Sequence, residues 1–245
     1  MILNRKHLIQ AKRSKKIELK KPLKWQKNTK MFIPNCNASF FVEQLLYRIH
    51  ELQTEKIPHL DITILNTGLD KLNKDKMDDL IKNSSYHFKA VDCENTSIYR
   101  KINDIVSRPT FDLHGIIIFI NPTILIPPLF IKSMMNVSEM EILKPLNYFL
   151  DDNMTRKIKL NEIWKKLWEN IMWEIGKLKG IDGIFCWSIH KNDFLKIGGL
   201  PERKKINWYE FIDLLKQKKI RNRYFDMRII KQYSIKFEKI ENSNN

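Results

Sequence analysis

Short polar loops follow four apolar runs of the sequence, and their side chains could bind a ligand. The loops are Pro34–Ser39, Asn66–Asp70, Asp92–Ser97 and Asn121–Thr123. If the apolar runs are parallel strands, their carboxyl ends meet at one edge of a sheet, which is where open α/β folds bind ligands. The same residue types dominate ordinary turns, because Asn, Asp, Gly and Pro suit turn conformations. The loops are therefore either ligand contacts or simple turns.

The elements that must position these loops alternate between strands and helices. Strands are predicted to begin near residues 30, 61, 86 and 115, and the last of them is a continuous apolar run typical of a buried parallel strand. Helices are predicted over about 40–55, 70–83 and 95–107; the first has Ser39 as a plausible N-cap and an apolar stripe at spacings of three and four. This order predicts an open, mostly parallel α/β sheet with helices on both faces.

The second half of the chain is less regular. We expect a helix over about 159–178, a strand over about 184–189, a helix around Phe211 and then a basic tail. Residues 1–28 are interpreted as a basic N-terminal arm, and residues 29–240 as a single domain. That domain is interpreted as two halves, 29–135 and 136–240, the second of which ends in the basic tail.

The order of four motifs resembles family 2-like GT-A glycosyltransferases over roughly residues 29–215. The motifs are a strand with a polar loop at Phe32–Asn37, an acidic-polar turn at Ile64–Asp70, a helix start at Asn95–Asn103, and an aromatic, Gly-Gly and acidic segment at Phe194–Glu202. The Gly-Gly segment is the most specific of these, and the resemblance depends on the order of all four.

The resemblance implies that 29–135 binds the nucleotide sugar and 136–240 the acceptor, and it implies a set of contact residues for each. The residues expected to bind the nucleotide sugar are Pro34, Asn35, Asn37, Asn66, Gly68, Asp70, Asn95, Asn103, Asn121 and Thr123. The residues expected to bind the acceptor are Trp187, Gly198, Gly199, Trp208, Lys204 and Lys205. Glu210 lies where the family often carries its catalytic base, and the alternative is an ordinary solvated helix acid.

One departure from the family concerns its metal. The family places Asp-x-Asp after the fourth strand to hold Mg²⁺ or Mn²⁺, whereas this chain has Asn121-Pro122-Thr123. An amide and a hydroxyl bring no charge to a hard cation. Three explanations stay open: metal-independent catalysis with basic residues neutralising the diphosphate, a metal held elsewhere, or lost activity. No metal ligand is assigned.

The net charge of +16 is concentrated at the two ends of the chain. Residues 1–30 have eleven Lys or Arg and one acid, and residues 191–239 have fourteen against six, so the rest is slightly acidic. Clustered Lys and Arg are typical of a protein that binds phosphates. A general enrichment in lysine is the alternative interpretation, since charge speaks to partners and not to fold.

Several other chemistries find no support in the sequence. The three cysteines and six histidines show no metal-ligand spacing, and phosphate-loop, nucleophile-elbow and HExxH motifs are absent. The Trp164, Trp168 and Trp173 set could stack on a sugar or base, but its helical spacing favours core packing. Prolines interrupt the longest apolar stretch, so we expect no membrane span and a cytoplasmic protein, in the host cytoplasm if viral.

The resemblance thus implies transfer of a sugar from a nucleotide-sugar donor. We expect UDP-glucose as donor and hydroxymethylated or glucosylated bases of DNA as acceptor, as in the phage DNA-modifying glucosyltransferases. The DNA acceptor would explain the basic ends. A glycosyltransferase for a surface glycan and a catalytically silent GT-A-like binding protein are the two alternatives. The linkage, the oligomeric state and whether the reaction inverts or retains configuration do not follow from the sequence.

Overall fold

The first half of the chain forms strands where its apolar runs are longest. The computed structural model describes residues 28–52, 60–67, 87–93, 97–126, 129–149, 186–201 and 208–231. The elements follow in the order β1 (Thr29–Asn35), α1 (Ser39–Leu52), β2 (Leu60–Asn66), β3 (His87–Asp92), α2 (Ile98–Ser107), β4 (Ile116–Ile120), β5 (Ile124–Leu125), α3 (Phe130–Met134), β6 (Glu141–Phe149), β7 (Cys186–His190), α4 (Lys191–Lys196), α5 (Trp208–Gln217) and β8 (Arg221–Lys231).

All eight strands join one sheet in the order β3-β2-β1-β4-β7-β6-β8-β5. The strands β3, β2, β1 and β4 are mutually parallel, as predicted, and β7 then pairs antiparallel with β4. The predicted α/β class and the four predicted strands are confirmed. The predicted helices over 70–83 and 159–178, including the three tryptophans of the second one, lie outside the described residues.

Apolar side chains alternate between the two faces of the sheet because successive strand residues point in opposite directions. One face of β4 contributes Ile116, Ile118 and Ile120 to a core that α1 and α3 cover. The other face contributes Ile117 and Phe119 to a core that also holds side chains of α2, α4 and α5. Burial on both faces explains why β4 is apolar at every position.

The beginnings of the first two described helices follow from short polar side chains. Ser97 caps α2, because its hydroxyl accepts a hydrogen bond from the Tyr99 N–H. Helix α1 begins differently from the prediction, since Ser39 is its first residue and the carbonyl of Ala38 accepts from the Val42 N–H. Ala38 therefore holds the N-cap position, and the Ser39 hydroxyl accepts instead from the side chain of Asn35.

The predicted basic tail is corrected in part by β8, which pairs parallel with β6 over nine residues of the latter. Charged side chains in β8 hid its strand character. The pairing register shifts between Pro145 and Leu146, at a proline that cannot donate a ladder hydrogen bond. A buried carboxylate, Glu141, joins the two strands through ion pairs with Arg221 and Arg223 of β8.

Lys191 fixes the end of α2 to the start of α4. Its ammonium donates hydrogen bonds to the carbonyls of Arg108 (2.9 Å) and Phe111 (2.5 Å) while the side chain is almost fully buried. A cation at a helix C-terminus satisfies carbonyls that the helix leaves unpaired. This basic residue of the C-terminal cluster is therefore structural.

Candidate functional site

Three polar side chains form a hydrogen-bonded row across the carboxyl ends of β1, β2 and β3. Asn35, Asn66 and Asp92 are in register as the last residues of the three strands. The Asn35 amide donates to Asn66 Oδ1 at 3.0 Å, and the Asn66 amide donates to Asp92 Oδ1 at 3.3 Å. Each amide group is thereby held in one orientation. We call these three residues the polar row.

The side chains of the polar row become more exposed to solvent from Asn35 to Asp92. Asn35 is fully buried, Asn66 is 8% exposed and Asp92 is exposed. The buried end is well satisfied, because Asn35 also donates to Ser39 Oγ and accepts from the Ala38 N–H. The exposed end is a carboxylate that can accept hydrogen bonds from a ligand. Asn35 and Asn66 were predicted contacts; Asp92 was not selected, although it begins one of the four predicted loops.

The loop after β1 lies directly against the loop after β2. The Thr67 N–H donates to the carbonyl of Asn35 at 3.0 Å, and its hydroxyl donates to Sγ of the exposed Cys36 at 3.2 Å. Asn37, a predicted contact, has a φ of 53°, a left-handed conformation that Asn tolerates better than most residues. The predicted contact Pro34 lies beyond Phe32, the last residue of β1 that pairs with β4.

Two ionisable side chains near the polar row have shifted pKa values. Burial raises the pKa of the Cys93 thiol, while the charge of Lys101 acts in the opposite direction. Burial also raises the pKa of the Tyr99 phenol. Both groups therefore stay protonated and neutral at pH 7. Neither group therefore places a negative charge beside the side chain of Asp92.

The segment after β4 forms a turn closed by Asn121. Its Oδ1 accepts from the Thr123 N–H at 3.0 Å and from the Thr123 hydroxyl at 2.7 Å. This is the Asx-turn arrangement that favours Asn at such positions. The predicted contacts Asn121 and Thr123 are thus brought together, with the Asn121 oxygen already engaged.

The donor set after β4 does not fit a divalent metal. It offers an amide and a hydroxyl at the place where Mg²⁺ or Mn²⁺ would require charged oxygen ligands. Within the described ranges, no group of three or more His, Cys, Asp or Glu side chains could hold a metal ion. The turn after β4 therefore supplies no charged ligand for a metal ion.

Asn103 and the Gly-Gly segment, predicted to serve different substrates, contact each other. The Asn103 amide donates to the Leu200 carbonyl and its Oδ1 accepts from the Leu200 N–H, both at 2.9 Å. Gly198 and Gly199 have φ values of 84° and 81°, which glycine adopts without strain. Their N–H groups donate to the carbonyls of Leu195 and Phe194 and so end α4.

Trp187 is corrected from an acceptor contact to a core residue. Its side chain is fully buried, with ring centroids 5.6 Å from Phe119, 6.3 Å from Phe194 and 5.5 Å from Phe211. An indole enclosed by three aromatic rings has no surface left to offer a sugar or base. Its N–H finds no hydrogen-bond acceptor among the described residues.

Glu210 lies in the first turn of α5, where the helix dipole stabilises a carboxylate. Its neighbour Phe211 packs on Trp187, and Trp187 is in register with Phe119 near the carboxyl end of β4. The first turn of α5 therefore packs, through Phe211, on the face of the sheet that holds Trp187 and Phe119. Trp208 begins α5. The predicted contacts Gly68, Asp70, Asn95, Lys204 and Lys205 lie outside the described residues.

Lys144 is a buried cation that the sequence analysis did not single out. Its side chain is 4% exposed, and its ammonium lies 5.7 Å from the ring centroid of Tyr224 on β8. Burial lowers the pKa of Lys144 to about 8. A lysine in a strand of mixed polarity gives no sequence signal of such burial, which depends on what packs over the strand.

No protein-family model and no curated protein sequence matches the chain. Solved structures do match its fold. A mannosyltransferase from Pyrobaculum calidifontis, solved with GDP-Man and Mn²⁺, matches with a TM-score of 0.57 at 11% identity. The match covers 87% of this chain and 61% of the mannosyltransferase chain. GalNAc-T7, solved with UDP, GalNAc and Mn²⁺, has a TM-score of 0.54 at 10% identity and covers 84% of this chain and 43% of its own.

These similarities establish the fold of the chain. The chain spans about three fifths of the mannosyltransferase and less than half of GalNAc-T7. Among the described helices, none is long and apolar enough to cross a membrane. The parallel β3-β2-β1-β4 arrangement with its antiparallel extension is therefore the GT-A-like, Rossmann-like α/β fold that the order of sequence motifs predicts.

Proposed function

We propose that the protein is a nucleotide-sugar-dependent glycosyltransferase whose donor binds at the carboxyl ends of β1, β2 and β3. The polar row is the observation that carries this proposal. It presents the exposed carboxylate of Asp92, which the two buried amides behind it help to orient, at the sheet edge where open α/β folds bind ligands. The fold is shared with sugar-transferring enzymes that were solved with GDP-Man or UDP, and a nucleoside offers the hydroxyl and N–H groups that such a row recognises.

The reaction would break the bond between the sugar C1 and the phosphate oxygen of the donor. The acceptor hydroxyl oxygen forms the new bond to C1, its proton passes to the carboxylate of Glu210, and the nucleoside diphosphate leaves with the bonding electron pair. The negative charge that develops on the diphosphate requires a counter-charge. Because the turn at Asn121 and Thr123 supplies no carboxylates for a metal, we assign this task to Lys or Arg side chains of the chain.

For the substrates we propose UDP-glucose and hydroxymethylated or glucosylated bases of phage DNA, which would place the protein in the host cytoplasm. The support for DNA is the concentration of positive charge at the two ends of the chain around a slightly acidic middle. Lys and Arg gain affinity for a nucleic acid by releasing its condensed counterions. A surface-glycan acceptor is the rival, with the basic ends resting on an anionic membrane; stronger binding to acidic vesicles than to duplex DNA would favour it.

One observation favours a second candidate, a GT-A-like protein that binds a nucleotide sugar without transferring it. The Asn121 oxygen, at the position where a metal-dependent relative would need a carboxylate, is used to close a turn. A site without metal and without a replacing cation would bind the donor but leave the diphosphate charge unopposed.

The test is incubation of the protein with radiolabelled UDP-glucose and two duplexes, one with hydroxymethylcytosine and one with cytosine. We expect label only in the hydroxymethylated duplex. Glu210→Gln should lower the rate by about 10²–10⁴-fold, the range typical of a general base. Asp213→Asn is the matched control, because Asp213 is exposed on the same helix and pairs only with Lys216 among the described residues.

The outcomes separate the candidates. Donor binding without transfer to any acceptor, and without donor hydrolysis, would favour the silent binding protein. Transfer to a glycan acceptor but to neither duplex would overturn the DNA proposal alone. Equal losses in the two variants would remove Glu210 from its role as base.

A further inference from the structure

The side chain of Asn103 forms hydrogen bonds with both backbone polar groups of Leu200. Its amide donates to the Leu200 carbonyl and its oxygen accepts from the Leu200 N–H, each at 2.9 Å and across 97 positions of sequence. One side chain therefore satisfies both backbone polar groups of a residue that is 2% exposed. A paired contact of this kind fixes the orientation as well as the position of the loop that follows α4.

Gly199 allows Asn103 to approach this closely. A Cβ at Gly199 would lie 2.5 Å from Asn103 Oδ1, far inside contact distance, whereas a Cβ at Gly198 would meet nothing within 4 Å. The two glycines have nearly equal φ values of 84° and 81°. They therefore carry the same conformational demand and differ in their contact with Asn103.

The contact joins two parts of the fold that the proposed reaction needs together. Asn103 lies on α2, the helix that follows β3 and its polar-row residue Asp92. Leu200 precedes α5, the helix whose first turn carries Glu210. Phe194 of α4 and Phe211 of α5 both pack on Trp187, so these two helices share one support, although residues 202–207 between Leu200 and α5 lie outside the described residues.

We propose that Asn103 is a positioning residue that fixes the Gly198-Gly199 loop and thereby sets α5 against the donor side of the sheet. This inference rests on the proposed transferase function. Displacements of about 1 Å at a reacting group can lower a rate by about 100-fold. Loss of the contact should therefore reduce kcat while leaving the affinity for the donor, which the polar row would hold, unchanged.

The experiment compares Asn103→Leu, which loses both hydrogen bonds at similar volume, with Asp104→Asn, an exposed position on the same helix. Three quantities are measured: amide hydrogen exchange at Leu200, the kcat of glucose transfer from UDP-glucose to the hydroxymethylated duplex, and the Kd for UDP. For Asn103→Leu we expect exchange at Leu200 to be at least about tenfold faster, kcat to be about 10–100-fold lower, and the Kd for UDP to stay within about twofold. Asp104→Asn should match the wild type in all three.

The glycine pair keeps the test valid if Asn103→Leu fails to fold. Gly199→Ala should lower kcat well below that of Gly198→Ala, since only the former displaces Asn103. Asn103→Ala should then reduce the difference between the two alanine variants, because it removes the obstructing amide. Equal effects of the two glycine variants, or a UDP Kd that weakens as much as kcat falls, would overturn the positioning role.

Failure of the inference is distinguishable from failure of the proposed function. A wild-type protein that transfers no sugar overturns the function, and the positioning role with it. An active wild type with an equally active Asn103→Leu variant overturns the positioning role alone.

Discussion

The side-chain amide of Asn35 donates a hydrogen bond to Oδ1 of Asn66 on the neighbouring parallel strand, at 3.0 Å and with little exposure of either residue. This bond orients the Asn66 amide so that its nitrogen faces Asp92. The chain of donors and acceptors therefore runs from the buried end of the sheet edge to its exposed carboxylate. The orientation of the partner of the exposed Asp92 carboxylate therefore depends on Asn35, which is fully buried and so is not itself exposed for the ligand contact that the sequence predicts.

Asn66→Ala should weaken both the fold and donor binding. It leaves Asn35 with one hydrogen-bond acceptor fewer and Asp92 without its fixed partner, which costs about 1–3 kcal/mol of unfolding free energy. We expect the affinity for UDP to fall by at least about tenfold. Urea unfolding and calorimetric titration with UDP provide the measurements. Asn136→Ala, at an exposed position, is the control, and equal behaviour of the two variants would remove the polar row from the donor site.

Replacing Asn121 and Thr123 together by Asp should create a Mn²⁺ site if the turn after β4 faces the diphosphate. Two carboxylates would supply the charged oxygens that the wild-type turn lacks. We expect the activity of the wild type to survive EDTA and Mn²⁺ to bind the double variant in the presence of UDP. Wild-type activity abolished by EDTA and restored by Mn²⁺ would show that a metal is held elsewhere in the chain.

The buried Lys144 should make stability rise with pH. Its pKa falls from an ordinary 10.5 to about 8 in the folded protein, so between these values the unfolded chain binds a proton that the folded chain does not. The free energy of unfolding should therefore increase from pH 8 to pH 10.5, by about 2–3 kcal/mol from this group.

Lys144→Met tests this pH dependence. The variant should be more stable than the wild type at pH 7 and should lose the added slope above pH 8, as measured by urea unfolding at a series of pH values. Lys216→Met, at an exposed lysine of α5, is the control. A wild-type slope that persists in Lys144→Met would assign it to other groups.

Trp187→Ala should destabilise the protein by about 3–5 kcal/mol, because it removes a fully buried indole from an aromatic cluster. Trp187→Phe should cost less, since it keeps a ring and removes an N–H that lacks a partner among the described residues. The acceptor KM of Trp187→Phe should equal that of the wild type. A KM raised tenfold in a stably folded Trp187→Phe variant would restore the original assignment to the acceptor site.

Binding to DNA should depend steeply on salt if the basic ends contact the backbone. Contacts with roughly 6–10 phosphates predict a loss of about 10³–10⁵-fold in affinity between 50 and 200 mM salt. Replacing the pairs Lys204-Lys205 and Lys218-Lys219 by Gln should weaken binding to all sequences alike, because phosphate contacts carry no base information. Affinity for UDP should not change. An affinity for DNA that does not change with salt concentration would mean that the positive charge reflects only a general enrichment in lysine.

The parallel half of the sheet could be predicted from local sequence pattern. Continuous apolar runs such as Ile116–Ile120 must be buried on both faces, and polar residues such as Asn35 and Asn66 mark the points where the strands end. The start of α2 close to Asn95–Ser97 was predicted as well, whereas the predicted N-cap of α1 was displaced from Ser39 to Ala38. These features depend on residues that are neighbours in the sequence, so the sequence alone is enough to predict them.

Which distant residues contact each other could not be predicted from local pattern, because it depends on how the strands and helices pack. Asp92 joins the polar row because β3 pairs with β2 in one particular register, and a register is a relation between distant segments. The contact of Asn103 with Leu200 spans 97 positions, and the burial of Trp187 depends on rings from β4, α4 and α5. Strand β8 escaped prediction because its charges obscure the alternation, whereas pairing with β6 and the carboxylate of Glu141 stabilises it. Long-range packing, which no local pattern encodes, assigned each of these side chains its neighbours.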